Sequence, residues 1–224
     1  MACRLSSRHL EGDKMSFSVN HPISGVLHLR FNSKIEQNLS MCRISEYFES
    51  PFEEIRDKIF TVDEFLKLYQ PLSYEGKTFW EYFEGFNVPA FHVNNFYKNF
   101  IPTQREISIR SVWFKGDYKY LISDIETCSS DVLAHELAHA NFAIDEDYHE
   151  LVTTALQSID TETFKILAND LKKIGYHDGN IADELHAYLL TSTDEELTEI
   201  FSVKLTELKE IKVIILAQLK LLEK

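Results

Sequence analysis

Few residues that cross-link or punctuate a chain occur in these 224 residues. Cys3, Cys42 and Cys128 form an odd, scattered set without CxxC spacing, which reads as free thiols in a reducing compartment rather than a disulfide framework. Five prolines and seven glycines are too few for a low-complexity or disordered chain. No apolar run approaches the about 18 residues that a membrane-crossing helix needs. Positive charge is also scarce: 23 Lys and Arg stand against 36 Asp and Glu, a net charge of −13 that opposes binding to nucleic acid or an anionic membrane. The stretch Met1–Leu10 lacks the continuous apolar core of a secretory signal, so a cytoplasmic location is expected, with delivery into another cell by a non-classical route left open.

What is present describes a globular protein. A hydrophobic content of 44% over this length suffices for one domain with a sizeable core. The first fifteen residues are mostly polar and are expected to be disordered, with Met15 as an alternative start. Residues 16–224 are expected to form a single domain of α+β class, a mixed lobe at 16–128 and a helical lobe at 129–224. Val26–Phe31 alternates as a short strand with His28 on its more polar face. Thr61-Val62-Asp63-Glu64 is a capping box that opens a short helix ending before Pro71. The aromatic-rich segment Tyr74–Phe100 is read as core, interrupted by a turn at Gly85-Phe86-Asn87-Val88-Pro89. Ile107–Phe114 and Tyr118–Ile125 are read as two strands of a hairpin joined at Lys115-Gly116-Asp117.

The remainder reads as helical. One helix is expected at about 147–158, one from the N-cap Asp160 to Gly175, and one over Ile181–Leu190. A last, amphipathic helix starts at the capping box Thr193-Asp194-Glu195-Glu196. It places Leu197, Phe201, Leu205, Leu208, Ile211, Ile215, Leu219 and Leu222 at spacings of three and four. Packing on its own domain is the default for this helix, and a coiled coil with a partner is the alternative.

The run Val132–Ala140 has no Gly or Pro and contains His135-Glu136-Leu137-Ala138-His139, an HExxH motif. On a helix the two histidines, four residues apart, share a face and reach one metal ion, while Glu136 stands beside it as a base. Val132, Leu133, Leu137, Ala138 and Ala140 make the helix apolar, and buried His and Glu need partners that a metal would supply. Ser129 or Ser130 is the expected N-cap, with Asp131 in the first turn. A catalytic zinc has three protein ligands, and two residues compete for the third place. Glu184 lies on a downstream helix that can return against the motif. Asp145 stands at the offset used by the pattern HExxHxxGxxH, though Phe142 occupies the glycine position where the chain would reverse. His149 fits neither spacing.

With those residues in place, His135–Ala140 followed by a helical Glu184 resembles the zincin superfamily of metallopeptidases, its gluzincin branch in particular. The pattern is also similar to a poorly characterised group of bacterial HExxH proteins. That group continues with Asp-x-x-Tyr, here Asp145 and Tyr148, and Glu-x-x-Ala-Tyr, here Glu184, Ala187 and Tyr188, and also carries the Gly85–Pro89 segment. The resemblance implies a Zn2+-dependent peptidase acting on a protein or peptide, with His135, His139 and Glu184 as ligands and Glu136 as general base. It implies an oxyanion donor among Tyr148, His186 and Tyr188, of which Tyr188 shares a helix face with Glu184. Asp145 would then orient a ligand histidine. Two other readings stand beside it: a catalytically silent metal-binding protein that engages a partner through its C-terminal helix, and a metal-dependent hydrolase of a non-peptide bond. The substrate and the oligomeric state are not legible at this level.

Overall fold

Four strands and ten helices follow one another in the computed structural model, which describes residues 16–69 and 83–222. In the first half these are β1 (Phe17–Asn20), β2 (Val26–Phe31), α1 (Lys34–Glu49), α2 (Val62–Tyr69), β3 (Phe86–Pro89), α3 (Ala90–Asn99), α4 (Gln104–Trp113) and β4 (Tyr120–Ile125). The second half is helical: α5 (Ser130–Ile144), α6 (Glu146–Gln157), α7 (Thr161–Lys173), α8 (Ile181–Thr191), α9 (Asp194–Ile200) and α10 (Leu205–Leu219). Among the described residues no helix is long and apolar enough to cross a membrane. The expectations for the first fifteen residues, for Pro71, and for Tyr74, Phe79, Trp80 and Tyr82 lie outside the described residues.

The sheet runs β1-β2-β4-β3. β2 pairs antiparallel with β1 and parallel with β4, in a register that sets Val26 against Tyr120 and Phe31 against Ile125; β3 pairs antiparallel with the other edge of β4. Side chains alternate between faces with period two. Leu27, Leu29, Phe31, Leu121 and Ile125 therefore join Met41 and Ile44 of α1 and Phe96 of α3 in one core. Val26, Tyr120 and Ile122 face the other way and pack on Leu133, Leu137 and Ala140 of α5. All of β4 is buried because both its faces are covered, which is why it reads as a nearly continuous apolar run.

Several expectations are corrected here. His28 does lie on the more polar face, with Arg30 and opposite Leu27, Leu29 and Phe31, but that face is covered as well. His28 is 3% exposed, and its Nε2 lies 2.8 Å from Asp124, whose carboxylate also accepts from Arg30 at 2.7 and 3.0 Å. Residues 107–113 are helical, so no hairpin precedes the motif helix; β4 finds its partners in β2 and β3 instead. The helix wins because Glu106, Ile109, Val112 and Trp113 fall on one buried face, and Thr103 with Glu106 forms a capping box. Glu106 also takes Arg43 in a buried, bidentate ion pair at 2.6 and 2.8 Å. Phe86–Pro89 is the edge strand β3, not a turn, and an edge tolerates Pro89 at its end.

The long C-terminal helix is in fact two. The chain leaves helical geometry at Phe201 (φ −108°, ψ 135°), and the Asp170 carboxylate accepts from the Ser202 backbone N–H at 2.7 Å and its hydroxyl at 3.1 Å. The break lets Phe201 and Val203 both bury, together with Leu197, Leu208, Ile211 and Ile215. α10 packs on α6 and α8, as the default predicts. The capping boxes at Thr61 and Thr193 and the N-cap Asp160 are present as read.

Candidate metal centre

The motif helix α5 is placed by the sheet beneath it and by α8, which packs along its other side. Ser129 is its N-cap and Asp131 lies in its first turn, where a carboxylate suits the helix dipole. The turn of helix between His135 and His139 brings their Nε2 atoms to 3.1 Å. From α8, Glu184 Oε2 lies 3.6 Å from His139 Nε2 and 3.9 Å from His135 Nε2. Tetrahedral ligands at about 2.0–2.1 Å from zinc stand about 3.3 Å apart, so the three separations suit one ion. Among the described residues these three form the group whose ligand atoms all lie within 4.8 Å of one another, and the set can hold a metal ion.

The donor chemistry fits as well. The Thr191 hydroxyl gives its proton to the Ala187 carbonyl at 2.7 Å, so His135 Nδ1, 3.1 Å away, donates to it. His139 Nδ1 approaches Asp183 Oδ1 at 2.8 Å, an ion-pair distance, although the pair lacks the alignment of a formed hydrogen bond. With both Nδ1 atoms engaged by acceptors, both Nε2 atoms turn inward, and such a pair needs a cation between them, a proton or a metal ion. The proton falls to His139: burial works against it, but Asp183 and Glu184 hold this ring well above the usual range. Burial, then His139 and His186, hold His135 well below it. Glu184 Oε2 is buried without a hydrogen-bond partner, and burial pushes the carboxyl up to about 8. A metal would give this atom the partner it lacks.

Glu136 stands next to this cluster and outside it. Its carboxyl is 6% exposed, Oε2 has no hydrogen-bond partner, and burial pushes its pKa up to about 7, with His139 and Asn87 acting the other way. Gly85, just before β3, forms the wall behind it: a Cβ there would come 2.0 Å from Glu136 Oε1. His135, Glu136, His139 and Glu184 open together into a cavity of about 360 Å³, whose walls include Phe83, Phe86, Tyr176 and Tyr188. Gly175 (φ +114°) ends α7 in a Schellman turn, with the Tyr176 N–H on the Leu171 carbonyl, and so brings Tyr176 to this cavity.

The other predicted site residues separate into two groups. Tyr188 lines the cavity, its ring 4.9 Å from that of His135 and its hydroxyl 3.0 Å from that of Tyr176. Tyr148 is not among the residues lining it; its ring lies 5.9 Å from that of His186 in the helical core. His186 is fully buried, stacked on Phe142, with Nε2 3.3 Å from the Ala138 carbonyl, and burial lowers it to about 4. Asp145 does not join the metal set. α5 continues to Ile144 without a reversal, and Asp145 is the exposed N-cap of α6, accepting from the Tyr148 N–H at 3.0 Å. His149 packs on Phe142. Sequence reading missed Asp183, Thr191 and Asn87. Asp183 adjoins Glu184 on a helix otherwise rich in apolar residues, a signal comparable to the one that marked Glu184 itself.

No protein-family model, no curated protein and no solved structure matches this chain.

Proposed function

We propose that this protein is a zinc-dependent peptidase, with His135, His139 and Glu184 as ligands and Glu136 as general base. The observation that carries the reading is Glu136: a buried carboxylate with an unpartnered oxygen, beside the ligand set but not in it, facing the same cavity. Two nitrogens and one carboxylate oxygen are the donor set of catalytic zinc, which supplies a Lewis acid and lowers the pKa of water at an open position. Glu136 takes the proton from the attacking water and hands it to the leaving amine. Thr191 orients His135, Asp183 stands at ion-pair distance from His139, and Tyr188, in the cavity wall, supplies a donor for a developing oxyanion.

β3 is an edge of the sheet, and its Phe86 and Asn87 line the cavity beside Glu136. The test is metal analysis joined to a peptide-library cleavage assay. One zinc per chain, cleavage lost to a chelator and regained with zinc are expected. Stoichiometric zinc without cleavage of any peptide favours the silent metal-binding reading, which draws on the exposed Val213, Ile214 and Leu216 of α10 as a partner surface.

Gly85→Ala is expected to lower kcat by about 100-fold with little change in zinc content, since the new methyl must displace the Glu136 carboxylate and small misplacements of a reacting group are costly. Steady-state kinetics with zinc analysis on the same preparation checks it. Equal kcat in the variant would mean that Glu136 is not held by this wall.

A further inference from the structure

The cavity holds more acidic side chains than metal binding and proton transfer use. Glu46 and Glu49, one turn apart on α1, line it together with Glu136 and Glu184, and among the described residues no Lys or Arg does. Glu46 is 5% exposed; its carboxylate accepts from the Tyr69 hydroxyl at 2.6 Å, and Glu49 accepts from the Ser45 hydroxyl at 2.6 Å. Among the described residues neither is in an ion pair, and the groups hydrogen-bonded to their carboxyls are neutral hydroxyls. Elsewhere in this protein a buried carboxylate has its cation: Glu106 has Arg43 and Asp124 has Arg30. The unpartnered Glu136 Oε2 faces the same space.

We infer that Glu46 and Glu49 form a subsite for a cationic nitrogen of the peptide, the ammonium or guanidinium of a basic side chain or a free N-terminal amine. It rests on the peptidase reading for the nature of the ligand. The lining suits such a group, with carboxylates for the charge and Phe83, Phe86 and Tyr176 for the methylene stem of a long basic residue. Burial leaves Glu46 at about 8 and Glu49 at about 7, which a bound cation would lower. Solvent screens such a pair less than an exposed one, which offsets part of the cost of desolvating the cation.

The experiment uses zinc-loaded protein carrying Glu136→Gln, so that bound peptides stay intact, titrated with fluorescent peptides that differ at one position. Lysine or arginine against norleucine reads a side chain, and a free against an acetylated N-terminus reads the amine. The cationic member of one pair is expected to bind at least about 10-fold tighter, and adding Glu46→Gln and Glu49→Gln should bring that ratio close to one. Taking the ratio within each protein removes any difference in folded fraction, and equal zinc content shows that the metal set is intact. Equal binding of charged and neutral peptides, no binding of either, or a preference that survives both substitutions overturns the subsite. So does uptake of a second zinc equivalent that the double change abolishes, because the pair would then be metal ligands. If wild type cuts no peptide yet the charge preference holds, the peptidase reading falls and the subsite stands. Cleavage without charge preference gives the reverse.

Discussion

Replacing Glu136 with Gln is expected to lower peptide turnover by about 10³-fold and to leave zinc in place, within the range that a positioned general base contributes. The amide has the shape of the carboxyl and fits against Gly85, so the wall of the cavity is kept. What it loses is the ability to hold a proton. Glu136 lies outside the metal set, so coordination should not change. Single-turnover rates with zinc analysis on the same sample separate the two effects. A variant that keeps turnover within the scatter of wild type would remove Glu136 from the chemistry, and one that loses zinc would make it a ligand.

Glu184→Gln should show two effects of opposite sign. Zinc affinity should fall by at least about 100-fold, since outer-shell partners alone are worth 10–100-fold and this residue supplies a donor atom. The zinc-free protein should become more stable, by about 1–3 kcal/mol, because the substitution removes a buried acid without a hydrogen-bond partner on Oε2. Zinc binds only the folded arrangement of two helices, so it should raise the melting temperature of wild type and scarcely move that of the variant. Competition with a chromophoric chelator and thermal unfolding with and without a chelator check both halves. Asp145→Ala is the control, expected to leave zinc affinity unchanged because Asp145 caps α6. Unchanged affinity in Glu184→Gln would exclude the carboxylate from the site.

How much of this was legible in the sequence differs from residue to residue. His135, Glu136 and His139 were readable because helical spacing alone sets their relation. Glu184 was readable because an acid in an apolar helix needs a reason, but its choice over Asp145 had to wait for the packing of α8 on α5. Helix 104–113 was misread because Ile107-Ser108-Ile109 alternates locally; the capping box of Thr103 with Glu106, just before it, carried the stronger signal. β3 was missed because Gly85 and Pro89 read as a turn, when one makes room for Glu136 and the other closes an edge. The break after Phe201 is held by Asp170, an acid 32 positions before the Ser202 that it accepts from, and no local pattern announces it. Glu46 and Glu49 are ordinary surface residues in sequence. Only the cavity makes them unusual.

The order of the strands bears on how the protein is made. β4 takes its neighbours from residues 26–31 and 86–89, all synthesised before it, so the whole sheet can close while the chain is still emerging from a ribosome. The motif helix follows directly and has its platform waiting. Glu184 and Thr191 come about fifty residues later, on a helix that must dock before His135 and His139 have their companion. A nascent chain halted before residue 184 therefore carries both histidines and Glu136 but lacks the third member of the set. The three-residue set is thus completed only once the helical half has been translated, long after the sheet that supports it.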